Sequence, residues 1–237
     1  MQYKPVMLAL LEQSRQEEQI LAGSLTPAER QARGELKNWA FKEIVAHVLV
    51  WMQRNGENLL LMKAGQPPTR YDNFLELNDQ NFDEFCQMTW EQVQAYSDQV
   101  RSAYLEAVQS LSEEQLTSLE LYEGQRGTLW NQIVGSCFTH AVMHYSDIYV
   151  KRGDIAQADQ LQERAYQTLS GLDSGDVWQG TVRYNLACHY ALTGRSEQAI
   201  DLIRQSLPLH PGLVDWSRQD TDLDSLRELP EFQALYA

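Results

Sequence analysis

Apolar residues recur at helical spacing along almost the whole chain. Val6, Leu10, Leu11 and Ile20 begin an apolar face that reaches Leu25. Thr26-Pro27-Ala28-Glu29 then combines an N-cap, a proline at the first helical position and a capping-box glutamate, which marks a new helical turn. A second long helix is predicted from Trp39 to Ala64. Its Ile44, His47, Val48 and Trp51 fall at i, i+3, i+4 and i+7, so His47 is expected to face the core. Gly65-Gln66-Pro67-Pro68 ends that helix. Residues 73 to 86 predict a short helix with Phe74, Leu77, Phe82 and Phe85 on its apolar side. Capping boxes at Thr89-Trp90-Glu91-Gln92 and Ser112-Glu113-Glu114-Gln115 come next. The first opens a third long helix that ends near Leu111, with Val93, Tyr96, Val100, Tyr104 and Val108 as its stripe.

After the loop around residues 122 to 127 comes the stretch TLWNQIVGSCFTHAVMHYSDIYVKRGD, residues 128 to 154. Thr128 as N-cap and Gly153 as stop predict one long helix. Four helical positions advance about 400°, so His140 and His144 sit one turn apart and about 40° out of line. Ile133, Cys137, His140, His144 and Ile148 are expected on one face. Four long helices with medium connections predict an all-α protein built on an up-down four-helix bundle.

The pattern changes after Gly153. Residues 185 to 211, NLACHYALTGRSEQAIDLIRQSLPLHP, carry the spacing of a tetratricopeptide unit: Ala187, Tyr190, Gly194, Ala199, Ile203 and Pro211. A weaker echo lies 41 positions earlier, where Tyr149, Gly153, Ala158 and Ala165 stand for Tyr190, Gly194, Ala199 and Ser206. That offset exceeds the usual repeat by about seven residues, an insertion expected near Ser174-Gly175. The tail reads as short capping helices. Residues 1–152 are expected to form the bundle, and residues 153–237 a tetratricopeptide-like helical region packed on it.

Composition narrows the partners. The 237 residues are 43% hydrophobic and 22% charged, as in ordinary globular proteins, and the net charge is −14. That charge disfavours nucleic acid and anionic membranes, whose phosphates call for clustered Lys and Arg. No window approaches the 18 or so apolar residues of a membrane span. The N-terminal stretch turns polar after Leu11 and reads as an amphipathic helix, not a signal peptide. Cys86, Cys137 and Cys188 are scattered and lack CxxC spacing, which suits reduced thiols in a cytoplasmic protein.

Two of the five histidines share the stripe at 140 and 144, and a third, His47, faces inward from another long helix. Histidines at i and i+4 with a third ligand from a neighbouring helix form a divalent-metal geometry that a bundle can build. Zinc and nickel both suit imidazole. Three neutral imidazoles leave a coordination position free, where an ion polarises a carbonyl or acidifies water. The plain alternative is a pair of hydrogen-bonded histidines at a bundle end.

Cys137, one turn before His140, reads as a small core residue or as a thiol near the ion. Tyr145 and Asp147 flank the motif and are candidates to orient an imidazole through its second nitrogen. Trp39, Trp51, Trp90 and Trp130 read as core. Glu43 and Glu57 read as solvated-face residues, and His189 and His210 as structural residues without partners. HExxH, GxSxG, P-loop and dinucleotide motifs are all missing, so the catalytic residues stay unknown.

The segments NWAFKEIVAHVLVW and HAVMH resemble the DinB-like superfamily, a DinB/YfiT-like four-helix bundle. The stretch NFLELNDQNFDEFCQMTWEQVQAYSDQVRSAYLEAVQSLSEEQL is closer to its ClbS/DfsB-like branch. The resemblance covers roughly residues 1 to 152. It implies an often dimeric protein with nickel, zinc or a similar ion on three histidines, which by position are His47, His140 and His144. It further implies a transferase or hydrolase acting on reactive small molecules, with a part in detoxification or stress protection. Some ClbS-like members act without a metal. The competing expectation is a non-catalytic scaffold whose tetratricopeptide-like region grips a protein partner.

Overall fold

The capping boxes start helices at the expected positions. Thr26, Thr89 and Ser112 each accept a hydrogen bond from the backbone N–H three residues on, at 3.1–3.3 Å. The side chains of Glu29, Gln92 and Gln115 reciprocate at 2.7–2.9 Å. A computed structural model describes residues 2–236, and among these the chain is helical, with one isolated bridge between Glu35 and Asn38 and no strand. It divides into two compact units, Met1–Tyr145 and Ser146–Ala237.

The first unit contains α1 (Tyr3–Ser24), α2 (Pro27–Gln31), α3 (Phe41–Lys63), α4 (Phe74–Phe85), α5 (Trp90–Gln109) and α6 (Glu113–Thr117). After them come α7 (Leu129–Val134), a π-helical segment (Gly135–Thr139) and the start of α8 (His140–Lys151), within which the division between units falls. The start of α1 is held by Glu113, whose carboxylate accepts from the N–H groups of Tyr3 and Lys4 at 2.9 Å each. These are orphan donors that the helix itself cannot satisfy, and an acidic group there also suits the helix dipole.

Leu10, Leu21, Val45, Leu49, Met52, Val93, Tyr104, Ile133 and Phe138 are among the side chains that fill the core. Fully burying one such side chain contributes about 1.5–3 kcal/mol. Ile20 and Phe74, expected on apolar faces, are instead exposed. On α1 the neighbouring Leu21 takes the inward position, and on α4 Phe82 and Phe85 do.

The predicted single helix from residue 128 is interrupted. Thr128 does precede α7, but its side chain makes no cap bond, and after Val134 one turn is π-helical before His140 resumes the α-helix. A π turn spaces its hydrogen bonds i to i+5, so it rotates α8 relative to the course of an unbroken α-helix. The stripe drawn from Cys137 to His140 does not survive that rotation. Glu43, read as solvated, is fully buried: its carboxylate accepts from the N–H groups of Ala40 (2.7 Å) and Gly34 (2.9 Å) at the start of α3.

The second unit holds the rest of α8, α9 (Ile155–Ser170), α10 (Asp176–Leu192), α11 (Ser196–Leu209) and short helical turns to residue 236. Ala187, Ala199 and Ile203 are fully buried where α10 meets α11, at the places where the repeat pattern wants small or apolar side chains. The two glycines of the repeat and its echo adopt the same left-handed backbone, φ +79° at Gly153 and +78° at Gly194. Each turn closes alike: Asp154 N–H to Tyr149 O at 2.9 Å, and Arg195 N–H to Tyr190 O at 2.8 Å. That is the helix-ending motif that calls for glycine.

Candidate metal centre

His47 enters the bundle from the second turn of α3, and His140 and His144 from the first two turns of α8. Their Nε2 atoms converge. His140 Nε2 lies 3.2 Å from His47 Nε2 and 3.0 Å from His144 Nε2, with ligand atoms of all three residues within 4.8 Å of one another.

Hydrogen bonding alone accounts poorly for this arrangement. An imidazole Nε2 carries one proton or one lone pair, so His140 cannot make two well-formed bonds at that atom. A shared cation uses the lone pairs of all three. Nitrogens about 2.05 Å from one ion, subtending about 90–110°, lie about 2.9–3.4 Å apart, which brackets the observed contacts.

The protonation states agree. Burial, with the neighbouring imidazoles, pushes His47 down to about 2 and His140 down to about 3, so both are neutral at pH 7 and free to donate lone pairs. The His47 ring is 6% exposed, and its Nδ1 has no hydrogen-bond partner. The ring is held instead by edge contacts with Trp39 (5.0 Å between centroids) and Trp51 (6.5 Å). Both tryptophans are half-buried and flank His47, whereas Trp90 and Trp130 are core as expected.

Residues 10–148 match the DinB superfamily, more than half of the chain, and this match contains all three histidines. The chain belongs to the DinB superfamily. Residues 138–211 match the tetratricopeptide repeat and span both glycine turns. Comparison with curated proteins and with solved structures returns no match. No helix among the described residues is long and apolar enough to cross a membrane.

Two of the flanking candidates in this DinB-superfamily chain join a different cluster. Tyr145 is buried and its hydroxyl donates to Glu18 Oε2 at 3.1 Å; Glu18 also accepts from Arg101 Nη2 at 2.6 Å and from Ser97 Oγ at 3.2 Å. Cys137 is fully buried within electrostatic reach of Arg101, and burial pushes its thiol up to about 12. It is a thiol, not a thiolate, at neutral pH. Asp147 lies on the exposed side of α8 in the second unit, close enough to Asp222 to feel its charge.

His189 and His210, read as lacking partners, both have them. His189 Nε2 is 2.7 Å from Asp159 and its Nδ1 is 3.4 Å from Ser146 Oγ, while His210 Nδ1 is 3.1 Å from Thr181. The Ser146-His189-Asp159 string has the composition of a hydrolytic triad. However, Ser146 is 1% exposed, and Asp159 is shared with Arg195 at 2.5 Å. These bonds tie α8, α9 and α10 together. A second donor set, Cys188, Asp220 and Asp222, is likewise occupied: Asp220 Oδ2 accepts from Tyr184 (2.7 Å) and Trp216 (2.9 Å), and burial pushes the Cys188 thiol far up.

Arg54, which belongs to none of the sequence motifs, packs over Trp51 with its Cζ 4.8 Å from the ring centroid, and its charge reaches His47. Its signal in the sequence is the i, i+4, i+7 spacing of His47, Trp51 and Arg54.

Proposed function

We propose that the first unit binds a divalent metal ion through His47, His140 and His144 and acts as a metal-dependent transferase or hydrolase on small molecules. The convergence of three imidazole Nε2 atoms, with His140 Nε2 3.2 Å from that of His47 and 3.0 Å from that of His144, carries this reading. Zinc or nickel fits the donor set. When bound, the ion supplies Lewis acidity with at least one coordination position left for a ligand. The chain's own residues supply the rest. Trp39 and Trp51 wall the His47 side and shed water, and burial keeps His47 and His140 unprotonated. A placement in the ClbS/DfsB-like branch, with a detoxifying or stress-protective role, belongs to the same reading and rests on residues 73–116.

The test is metal content of protein purified without an affinity tag, wild type against His140→Ala. Near-stoichiometric zinc or nickel in the wild type, lost in the variant while helical circular dichroism persists, supports the site. Wild-type protein that neither carries nor takes up either ion sinks it.

A second reading concerns the other unit. Its tetratricopeptide match points to protein–protein interaction. A groove of about 490 Å³, lined by Tyr166, Leu186, Tyr190 and Leu202 together with Glu163 and Asp201, is the surface such a partner would use. Pull-down of a defined partner that Leu202→Glu abolishes, with no metal in the protein, would favour a scaffold over an enzyme.

A further inference from the structure

Two buried hydrogen-bond donors stand unpaired side by side on the α3–α4 wall of the first unit. Arg54 Nη1 has no partner, and neither has Asn81 Nδ2. Asn81 is only 8% exposed. Buried donors left without acceptors are uncommon in folded proteins and call for an explanation. These two residues already touch, because Asn81 Oδ1 lies 3.4 Å from Arg54 Nη2. That contact fixes the amide orientation: its oxygen faces the guanidinium, so its NH₂ is the group left over.

The guanidinium is also fixed in direction. It sits in a corner formed by Trp51 and Tyr71, with Cζ 4.8 Å and 5.1 Å from the two ring centroids and the rings 86° apart. Trp51 is itself pinned by its Nε1–H donating to Asn78 Oδ1 at 2.9 Å. Asn78 and Asn81 stand three residues apart on α4 and so share its α3-facing side. Trp51 is thus the common neighbour of Arg54 and of the His47 ring, along one stripe of α3.

We infer that Arg54 and Asn81 form the recognition site for a carboxylate, and that the ligand of this protein is a small planar carboxylate whose other end meets the three histidines. The second clause rests on the metal reading above; the first does not. Two free donors, one on a guanidinium and one on an amide, match the two oxygens of a carboxylate. One positive charge suits a monoanion better than a phosphate dianion, above all in a chain of net charge −14. Trp51 and Tyr71 are only half-buried, so the parts of their rings that the guanidinium does not cover leave flat apolar surface for the remainder of the molecule.

The test uses the full chain, both metal-free and loaded with Co(II), titrated with benzoate at constant ionic strength and followed by tryptophan fluorescence and calorimetry. Wild-type protein should bind benzoate, and Arg54→Gln should raise Kd at least tenfold. Asn81→Asp, which puts a carboxylate where the amide donor stood, should do the same. Both variants should keep the wild-type Co(II) absorption spectrum. No benzoate binding by the wild type, or equal binding by wild type and Arg54→Gln, overturns the inference. Tighter binding of inorganic phosphate than of benzoate overturns the carboxylate assignment. Arg54-dependent benzoate binding by a chain that takes up neither Co(II) nor zinc nor nickel supports the anion site and removes the metal reading.

Discussion

His47 Nε2 and His140 Nε2 lie 3.2 Å apart although 93 positions separate them in the chain, so the donor set exists only in the folded bundle. An ion that binds there binds the native state alone, and its binding energy becomes folding energy. At free zinc a hundredfold above Kd, the first unit should gain about 2.7 kcal/mol. Thermal unfolding followed by circular dichroism, with and without zinc, checks this. His144→Ala should abolish the gain while leaving the metal-free midpoint within a few degrees.

The same burial makes the metal-free protein sensitive to acid. His47 and His140 titrate near 6.5 in the unfolded chain but near 2 and 3 when folded. Between these limits the unfolded state binds more protons, so stability is complete above pH 6.5 and is lost as pH falls below it. The slope is at most about 1.4 kcal/mol per pH unit for each histidine. Urea denaturation of metal-free protein at pH 7.5, 6.0 and 5.0 should show the decline, and His140→Gln should shrink its slope by about half. A wild type as stable at pH 5.0 as at 7.5 would contradict the assignment.

Glu18 and Arg101 form an ion pair at 2.6 Å with both side chains nearly excluded from solvent, 7% and 4% exposed. Removing one partner leaves the other charge buried and uncompensated. Glu18→Ala should therefore cost about 3–5 kcal/mol, whereas the double replacement Glu18→Leu with Arg101→Met should recover most of it. Tyr145→Phe removes one bond to the same carboxylate and should cost about 1.5 kcal/mol. Chemical denaturation of the four proteins gives the comparison directly.

Much of this molecule was legible in its sequence because helix signals are local. Capping boxes, the glycines at 153 and 194 and the apolar stripes act within a few residues, and they marked the long helices and the turns of the repeat. The histidine set was legible for a related reason, since two of its members share one helix and the third shows its inward face through its neighbours. The hidden features depend on partners from elsewhere in the chain. The π turn at Gly135–Thr139 has no local signature, so helical spacing sets Cys137 with the histidines although it lies near Arg101. Glu43 looked solvated because its acceptor role depends on the loop carrying Gly34. Arg54 gained meaning only when α4 brought Asn81 beside it.

Gly180 and Gly23 both sit inside helices, yet alanine should act on them with opposite sign. At Gly180 on α10, a Cβ would stand 2.7 Å from His210 Cβ and 3.0 Å from both His210 N and Ser206 O, the last two being backbone atoms that cannot step aside. Ser206 Oγ donates to Gly180 O at 2.8 Å across the same contact, so any separation of α10 from α11 strains that bond as well. Gly180→Ala should destabilise the second unit by about 1–3 kcal/mol through overpacking. At Gly23 in the last turn of α1, nothing lies within 4 Å of the added carbon and the backbone is not left-handed. Alanine there only narrows the unfolded ensemble, so Gly23→Ala should stabilise the first unit by about 0.4–1 kcal/mol. Hydrogen exchange read unit by unit separates the two effects. Protection should fall in α10 and α11 for the first variant and rise in α1 for the second, and the same sign in both would show that the close approach of α10 to α11 is not as described.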